Sequence, residues 1–354
     1  MTKRTPTLSE RDQLELFRTH GAALAPRDAQ DLMAYPFFSL AKSRRTRPID
    51  YAVAGVLIRV EAVAEHGMAT IWDADILIWA ASQLIEARDA GLRTSRLMAA
   101  TPYEILTFIG RGVSARDYRR LKAALDRLQS TTVATTIRQP AVGRRHHFSW
   151  INEWVERFDH QDRPAGIELI LPDWFYNAVL DNALILTIDH AYFSLTGGYD
   201  RWLYRVVRKH GGRQQHGWRF EFRHLYLKSG SLSPFNRFAF ELRDVVRRQP
   251  LPAYRLWIEI GPCGQTLLGF APVACGQPVD GLVLSGTGPI VPSGTTASCY
   301  REPKTDPNPY TQAENPALNL ESNTDSNFGS SSPRVGDKDA QTRDSSIAET
   351  RDDQ

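Results

Sequence analysis

Apolar and polar positions along this chain fall into one pattern that occurs twice. Residues 101–110 form a short amphipathic run starting at Thr101 and Pro102 and ending at Gly110, a turn follows through Gly112, and residues 114–128 read as a second helix. Later, a segment around Leu225 and Leu227 ends at Ser229 and Gly230, and Ser233 with Pro234 opens a helix to about Arg248. With 3.6 residues per turn, Tyr118, Leu121, Leu125 and Leu128 share one face of the first long helix, and Arg116, Arg119, Arg120 and Arg127 lie on the other. In the later helix Phe235, Phe238, Leu242, Val245 and Val246 form the apolar side, while Asn236, Arg237, Arg243 and Arg247 point away from it. Two helices joined by a tight glycine-containing turn make the helix-turn-helix pattern, whose second helix lies in the DNA major groove.

Helix-start chemistry supports the boundaries independently of charge. Thr101 with Glu104 is a capping box with proline at the first helical position, Ser114 with Asp117 repeats its logic with a shorter acid, and Ser233-Pro234 is the same start without the acid. After each second helix the sequence alternates apolar and polar, over residues 131–137 and 254–260, and each stretch is followed by a turn and a further strand, 148–151 and 267–270. Helix, turn, helix and hairpin predict an α+β chain of two tandem winged-helix domains. The first hairpin carries Arg144, Arg145, His146 and His147 at its tip, where a wing would meet phosphates or a minor groove.

The rest of the body reads more coarsely. Residues 51–63 predict a strand, His66-Gly67 a hairpin turn, and 69–72 its partner; Asp73 caps a long helix to about Ala87. In the second half, 167–171 is a strand, Pro172 and Asp173 lead a helix with Trp174 and Phe175, and Gly197-Gly198 opens a helix with Arg201, Arg205, Arg208 and Lys209. That arginine row fits either phosphate contact or a solvated face. The expected organisation is a flexible arm over 1–34, a first winged-helix domain over 35–170, a second over 171–275, and a disordered acidic tail over 276–354.

Charge sharpens this division. The 354 residues carry a net charge of only +3, which alone says little about nucleic acid. From Gly276 onward there are twelve acidic and six basic residues, which leaves 37 basic and 28 acidic residues in the body before it, a basic balance. The tail is rich in Gly, Pro, Ser, Thr, Asn and Asp and poor in aromatics, too little apolar surface to offset chain ordering. Neither end reads as a signal peptide, and no stretch approaches the roughly 20 apolar residues of a membrane span, which predicts a cytoplasmic protein. Cys263, Cys275 and Cys299 are odd in number and widely spaced, and form neither a zinc pattern nor a disulfide framework.

Catalysis is not expected. The nearest approach to a phosphate-binding loop, Gly212 to Gly217, is followed by Trp218 and lacks the lysine. His146 and His147 are adjacent, so on a strand they face opposite sides and do not share a metal. Asp189, His190 and Tyr192 come with no nucleophile or oxyanion site at a defined spacing. No cofactor and no metal are expected.

Several blocks carry a family resemblance: YPFFSL at 35–40, RRTRPIDY at 44–51, HGMATIWDAD at 66–75, ARDAGLRTSR at 87–96, and residues 118–132. Together, over roughly 35–272, they resemble the plasmid replication initiator protein A family. The resemblance implies paired winged helices that bind repeated duplex sites in an origin, help open it, and recruit the host replication initiator and the replicative helicase. It leaves monomer or homodimer open and covers nothing of the tail. Two other readings of the same helices are a winged-helix transcriptional repressor without a role in origin firing, and an adaptor for acidic protein partners.

Overall fold

The structure, a computed structural model, describes residues 10–19, 24–139, 143–211 and 217–273. The expected acidic tail over 276–354, Cys275, Cys299, the loop from Gly212 and the basic residues Lys3 and Arg4 lie outside them. In chain order the elements are β1 (Phe17–Arg18), β2 (Arg27–Ala29), α1 (Gln30–Ala34), β3 (Ile49–Val53), β4 (Val56–Ala62), α2 (Ala74–Asp89), β5 (Leu97–Ala100), α3 (Pro102–Phe108), α4 (Ala115–Ser130), β6 (Thr131–Thr135) and β7 (His146–Ser149). There follow β8 (Glu153–Phe158), β9 (Pro164–Ile170), α5 (Asp173–Leu180), β10 (Ile185–Thr187), α6 (Gly198–Gly211), β11 (Trp218–Glu221), α7 (Phe222–Ser229), α8 (Phe235–Arg248), β12 (Tyr254–Ile260) and β13 (Thr266–Pro272).

One unit is built twice. The first runs α2, β5, α3, α4, β8, β9, and the second runs α6, β11, α7, α8, β12, β13. In each, the first strand pairs antiparallel with the last, which also pairs with the middle one: β5-β9-β8, extended by β1 on β5, and β11-β13-β12. The chain is thus a mixed α+β protein. The first unit carries an insertion, because β6 and β7 leave it to complete a sheet β3-β4-β6-β7. The hairpin that alternation predicts after α4 is therefore real, but its partner is β4, and the pair standing where β12 and β13 stand is β8 and β9.

Three other expectations change. The hairpin turn lies at Ala54-Gly55, where φ is +50° and +79°, rather than at His66-Gly67; two consecutive left-handed residues suit the twist of a two-residue hairpin. Residues 69–72 make a single bridge, Thr70 to Ser39, instead of a strand. The stretch from Leu24 to Ala34, expected as part of a flexible arm, is built into the body: Leu24, Asp28, Ala29, Leu32, Met33 and Ala34 are buried, and β2 pairs with β10. Its apolar residues are few and short-spaced, so only long-range pairing holds it.

The core is continuous across both units. Helix α2 sits at its centre, buried on every side from Ala74 to Ile85, with Asp75, Ser82 and Gln83 among the buried positions. The expected boundary between the two domains, at residues 170 and 171, falls at the end of β9, the strand between β5 and β8, and the chain is buried from Ile167 to Pro172. Among the described residues no helix is long and apolar enough to cross a membrane.

Candidate nucleic-acid interface

Helices α3 and α4 each start on local chemistry. The Thr101 hydroxyl accepts from the Glu104 amide while Glu104 takes the Thr101 amide, which starts α3. Ser114 and Asp117 close the same reciprocal box at the start of α4. Leu121, Ala124, Leu125 and Leu128 then bury one face. Arg116, Arg119 and Arg120 stand exposed on the other, and neither Arg116 nor Arg119 forms an ion pair among the described residues. Arg120 reaches Asp117 at 3.5 Å.

Arg127 has a different fate. Its Nε and Nη2 donate to Asp73 Oδ2 and Oδ1 at 2.8 and 2.7 Å, and Asp73 is buried. The guanidinium is committed to holding α4 on the start of α2, so Arg127 leaves the set of outward cations. Asp73 does not cap α2 with its side chain; the carboxylate instead takes the Thr70 amide and hydroxyl together with Arg127.

Helix α8 repeats the design with aromatic support. Gly230 closes α7 in the left-handed region at φ +58°, and α8 buries Phe238, Ala239, Leu242 and Val245. Asn236, Arg237, Arg243 and Arg247 are exposed on the opposite side. Arg237 pairs with Glu241 and lies over the Phe240 ring, 5.3 Å from its centroid. Arg243 lies over Phe222 at 5.4 Å, and Arg247 pairs with Asp244. Ser233 does not cap: its carbonyl accepts from the Tyr226 hydroxyl, and Pro234 is the residue before the first turn. Phe240, absent from the apolar side read from sequence, is the most exposed aromatic among the described residues at 59%.

Arg144 and Arg145 are exposed where β7 begins, and with Gln139, His146 and His147 they line an open hollow. This cationic tip belongs to the β3-β4-β6-β7 sheet. It is therefore a third basic surface rather than part of the β8-β9 hairpin.

The two cationic helices are tied through three carboxylates. Arg127 of α4 binds Asp73 before α2; two residues on, Asp75 of α2 takes Arg201 of α6 at 2.7 and 2.9 Å; Asp200, next to Arg201, takes Arg248 of α8 at 2.8 and 3.2 Å. Asp75 also accepts from Arg111, in the turn between α3 and α4, at 2.8 Å. Burial drives the Asp75 carboxyl above its ordinary range against the pull of Arg201 and Arg111. Arg205 forms a second buried pair with Asp28, at 2.7 and 3.0 Å. Arg201 and Arg205, expected on a phosphate-facing or solvated row, are thus internal; a planar fork with five donors can be satisfied inside a protein where an ammonium seldom is. Arg111 and Arg45 complete this framework; Arg45 lies in the RRTRPIDY block, but no capping or helical-face pattern marks either residue. Arg45 donates to the Gly230 carbonyl at 2.6 Å beneath the α7–α8 turn, and burial lowers its pKa to about 10.

Among the described residues no group of three or more His, Cys, Asp and Glu side chains is placed to hold a metal. The geometry is that of two outward arginine faces on one continuous core.

Residues 27–256 match the family of replication initiator protein A. A protein of Wigglesworthia glossinidia brevipalpis, described as a replication protein, is 35% identical over 228 residues, covering 63% of this chain and 82% of that protein. The crystal structure of selenomethionine derivatives of domains 2 and 3 of RctB matches with a TM-score of 0.52 at 13% identity, over 69% of this chain and 98% of that one. This last likeness is one of fold.

Proposed function

We propose that this chain, which belongs to the replication initiator protein A family, starts replication by gripping repeated duplex sites in an origin with two winged-helix units. In this reading α4 and α8 are the recognition helices. Arg116, Arg119, Arg120, Asn236, Arg237, Arg243 and Arg247 meet phosphates and base edges, and Arg144 and Arg145 add backbone contact from the side. The observation that carries the reading is the fixed tie between α4 and α8 through Asp73, Asp75 and Asp200. Two helices held at one separation select sites by spacing as well as by sequence.

Binding in this way deforms the duplex, and the deformation energy weakens an adjacent A·T-rich segment that host initiator and helicase can enter. The protein acts by binding and bending, without bond chemistry of its own. Footprinting of the full chain on the DNA flanking its gene tests the reading. Protection of direct repeats, on faces of the duplex separated by whole helical turns, is expected; absence of any protected duplex would overturn it. Persistence of a plasmid carrying only that DNA, when the protein is supplied, distinguishes initiation from repression of a promoter.

A further inference from the structure

The outward face of α8 is not purely polar. Its buried side chains Phe238, Ala239, Leu242 and Val245 centre on one direction, and at about 100° per residue Phe240 lies within about 20° of the opposite one. A phenyl ring therefore crowns the helix between Arg237 on one flank and Asn236, Arg243 and Arg247 on the other. It is 59% exposed, more than any large hydrophobic among the described residues except Ile260. The ring adds nothing to the core, and its recorded partner is the guanidinium of Arg237. An apolar group at the centre of a cationic face is placed to meet an apolar group carried by a polyanion.

Duplex DNA offers one such group in the major groove, the 5-methyl of thymine, and phenylalanine is among the side chains that contact it. We propose that Phe240 is a specificity-determining residue whose ring packs on a thymine methyl group in the DNA site. The inference rests on the assignment of α8 as a recognition helix and goes beyond it by naming the base feature read.

The first unit supplies an internal comparison. Leu121, Leu125 and Leu128 of α4 have the same spacing as Phe238, Leu242 and Val245 of α8. In that register Arg120 matches Arg237, whereas Ala123, also exposed, matches Phe240. The two faces share their cation and differ at the crest, so the two units read different bases: α8 makes the large apolar contact and α4 does not.

The test uses the full chain and a duplex selected by it from a random-sequence library, synthesised once with thymine and once with uracil in its place. Affinity is read by fluorescence anisotropy. Wild type is expected to lose about fourfold for each methyl group it covers. Phe240→Ala is expected to bind the thymine duplex more weakly by a similar factor and to bind both duplexes alike, while Phe240→Leu retains part of the discrimination. Because the ring is exposed, the variants fold, which circular dichroism checks. Wild-type indifference to uracil, or undiminished discrimination in Phe240→Ala, would overturn the assignment. Failure to select any duplex would instead bring down the DNA-binding reading itself, and this inference with it.

Discussion

Arg201 and Asp75 meet in an ion pair sealed from water, the guanidinium Nη1 donating to both carboxylate oxygens at 2.7 and 2.9 Å with side-chain exposures of 3% and 0%. One residue comes from α6 and the other from α2, so the pair joins the two repeated units. Removing Asp75 leaves Arg201 charged and dry, which costs about 3–5 kcal/mol, whereas removing Arg201 leaves Asp75 with Arg111 alone and costs less. Asp75→Asn should lower stability by about 3–5 kcal/mol in urea titrations, Arg201→Met by less, and Asp75→Asn with Arg201→Met together should lose less than the sum. Additive losses would show that the pair is not the link described.

Arg120 and Arg127 sit on one helix and should behave as different kinds of residue. Arg120→Ala should leave thermal unfolding nearly unchanged and weaken DNA binding by about 1–3 kcal/mol, with a reduced dependence on salt if the contact is to phosphate. Arg127→Ala strands Asp73 and should destabilise the fold by about 2 kcal/mol. Its effect on affinity should disappear once the folded fraction is taken into account. Paired measurements of melting and anisotropy on both variants separate the two roles.

The contrast explains how far the sequence could be read. Capping boxes at Thr101 and Ser114, the left-handed Gly230 and the apolar spacing of α4 and α8 are local features, and the helices appear where these features put them. Phe240 was also within reach, since its phase on the helix turns it outward. The fates of Arg201 and Arg205 were not, because their partners Asp75 and Asp28 lie 126 and 177 positions away. Alternation likewise predicts that residues 131–135 form a strand but says nothing of its neighbour, and β6 joins β4 rather than the sheet of its own unit. Asp73 and Asp75 fall within the HGMATIWDAD block that carried the family resemblance, and their work is to bind arginines from α4 and α6.

The box at the start of α4 predicts a pH effect with a definite sign. Hydrogen bonds from Ser114 hold the Asp117 carboxyl below the usual carboxylate range. A carboxylate whose folded pKa is depressed stabilises the fold above its ordinary value and loses that stabilisation as pH falls through the depressed one. Asp117→Asn should therefore be less stable than wild type at neutral pH, and the gap should close below about pH 4. Ser114→Ala should cost about 1 kcal/mol. Thermal unfolding across this pH range gives the result, and a gap independent of pH would show that the ionised carboxylate is not the capping group.

Gly198 tests whether the spacing of the two arginine faces matters. A Cβ there would meet the Leu40 carbonyl oxygen at 1.9 Å, and that oxygen belongs to the backbone and cannot swing aside. Alanine must push the first turn of α6 away from Leu40, and this turn carries Asp200 and Arg201, which hold α8 and α2. Gly198→Ala should thus cost about 1–3 kcal/mol in stability. More tellingly, the folded variant should keep wild-type affinity for a duplex that spans only the α4 contacts and lose affinity for one that spans both faces. Equal loss on the two duplexes would mean that each helix binds on its own and that the rigid tie between them plays no part in choosing the site.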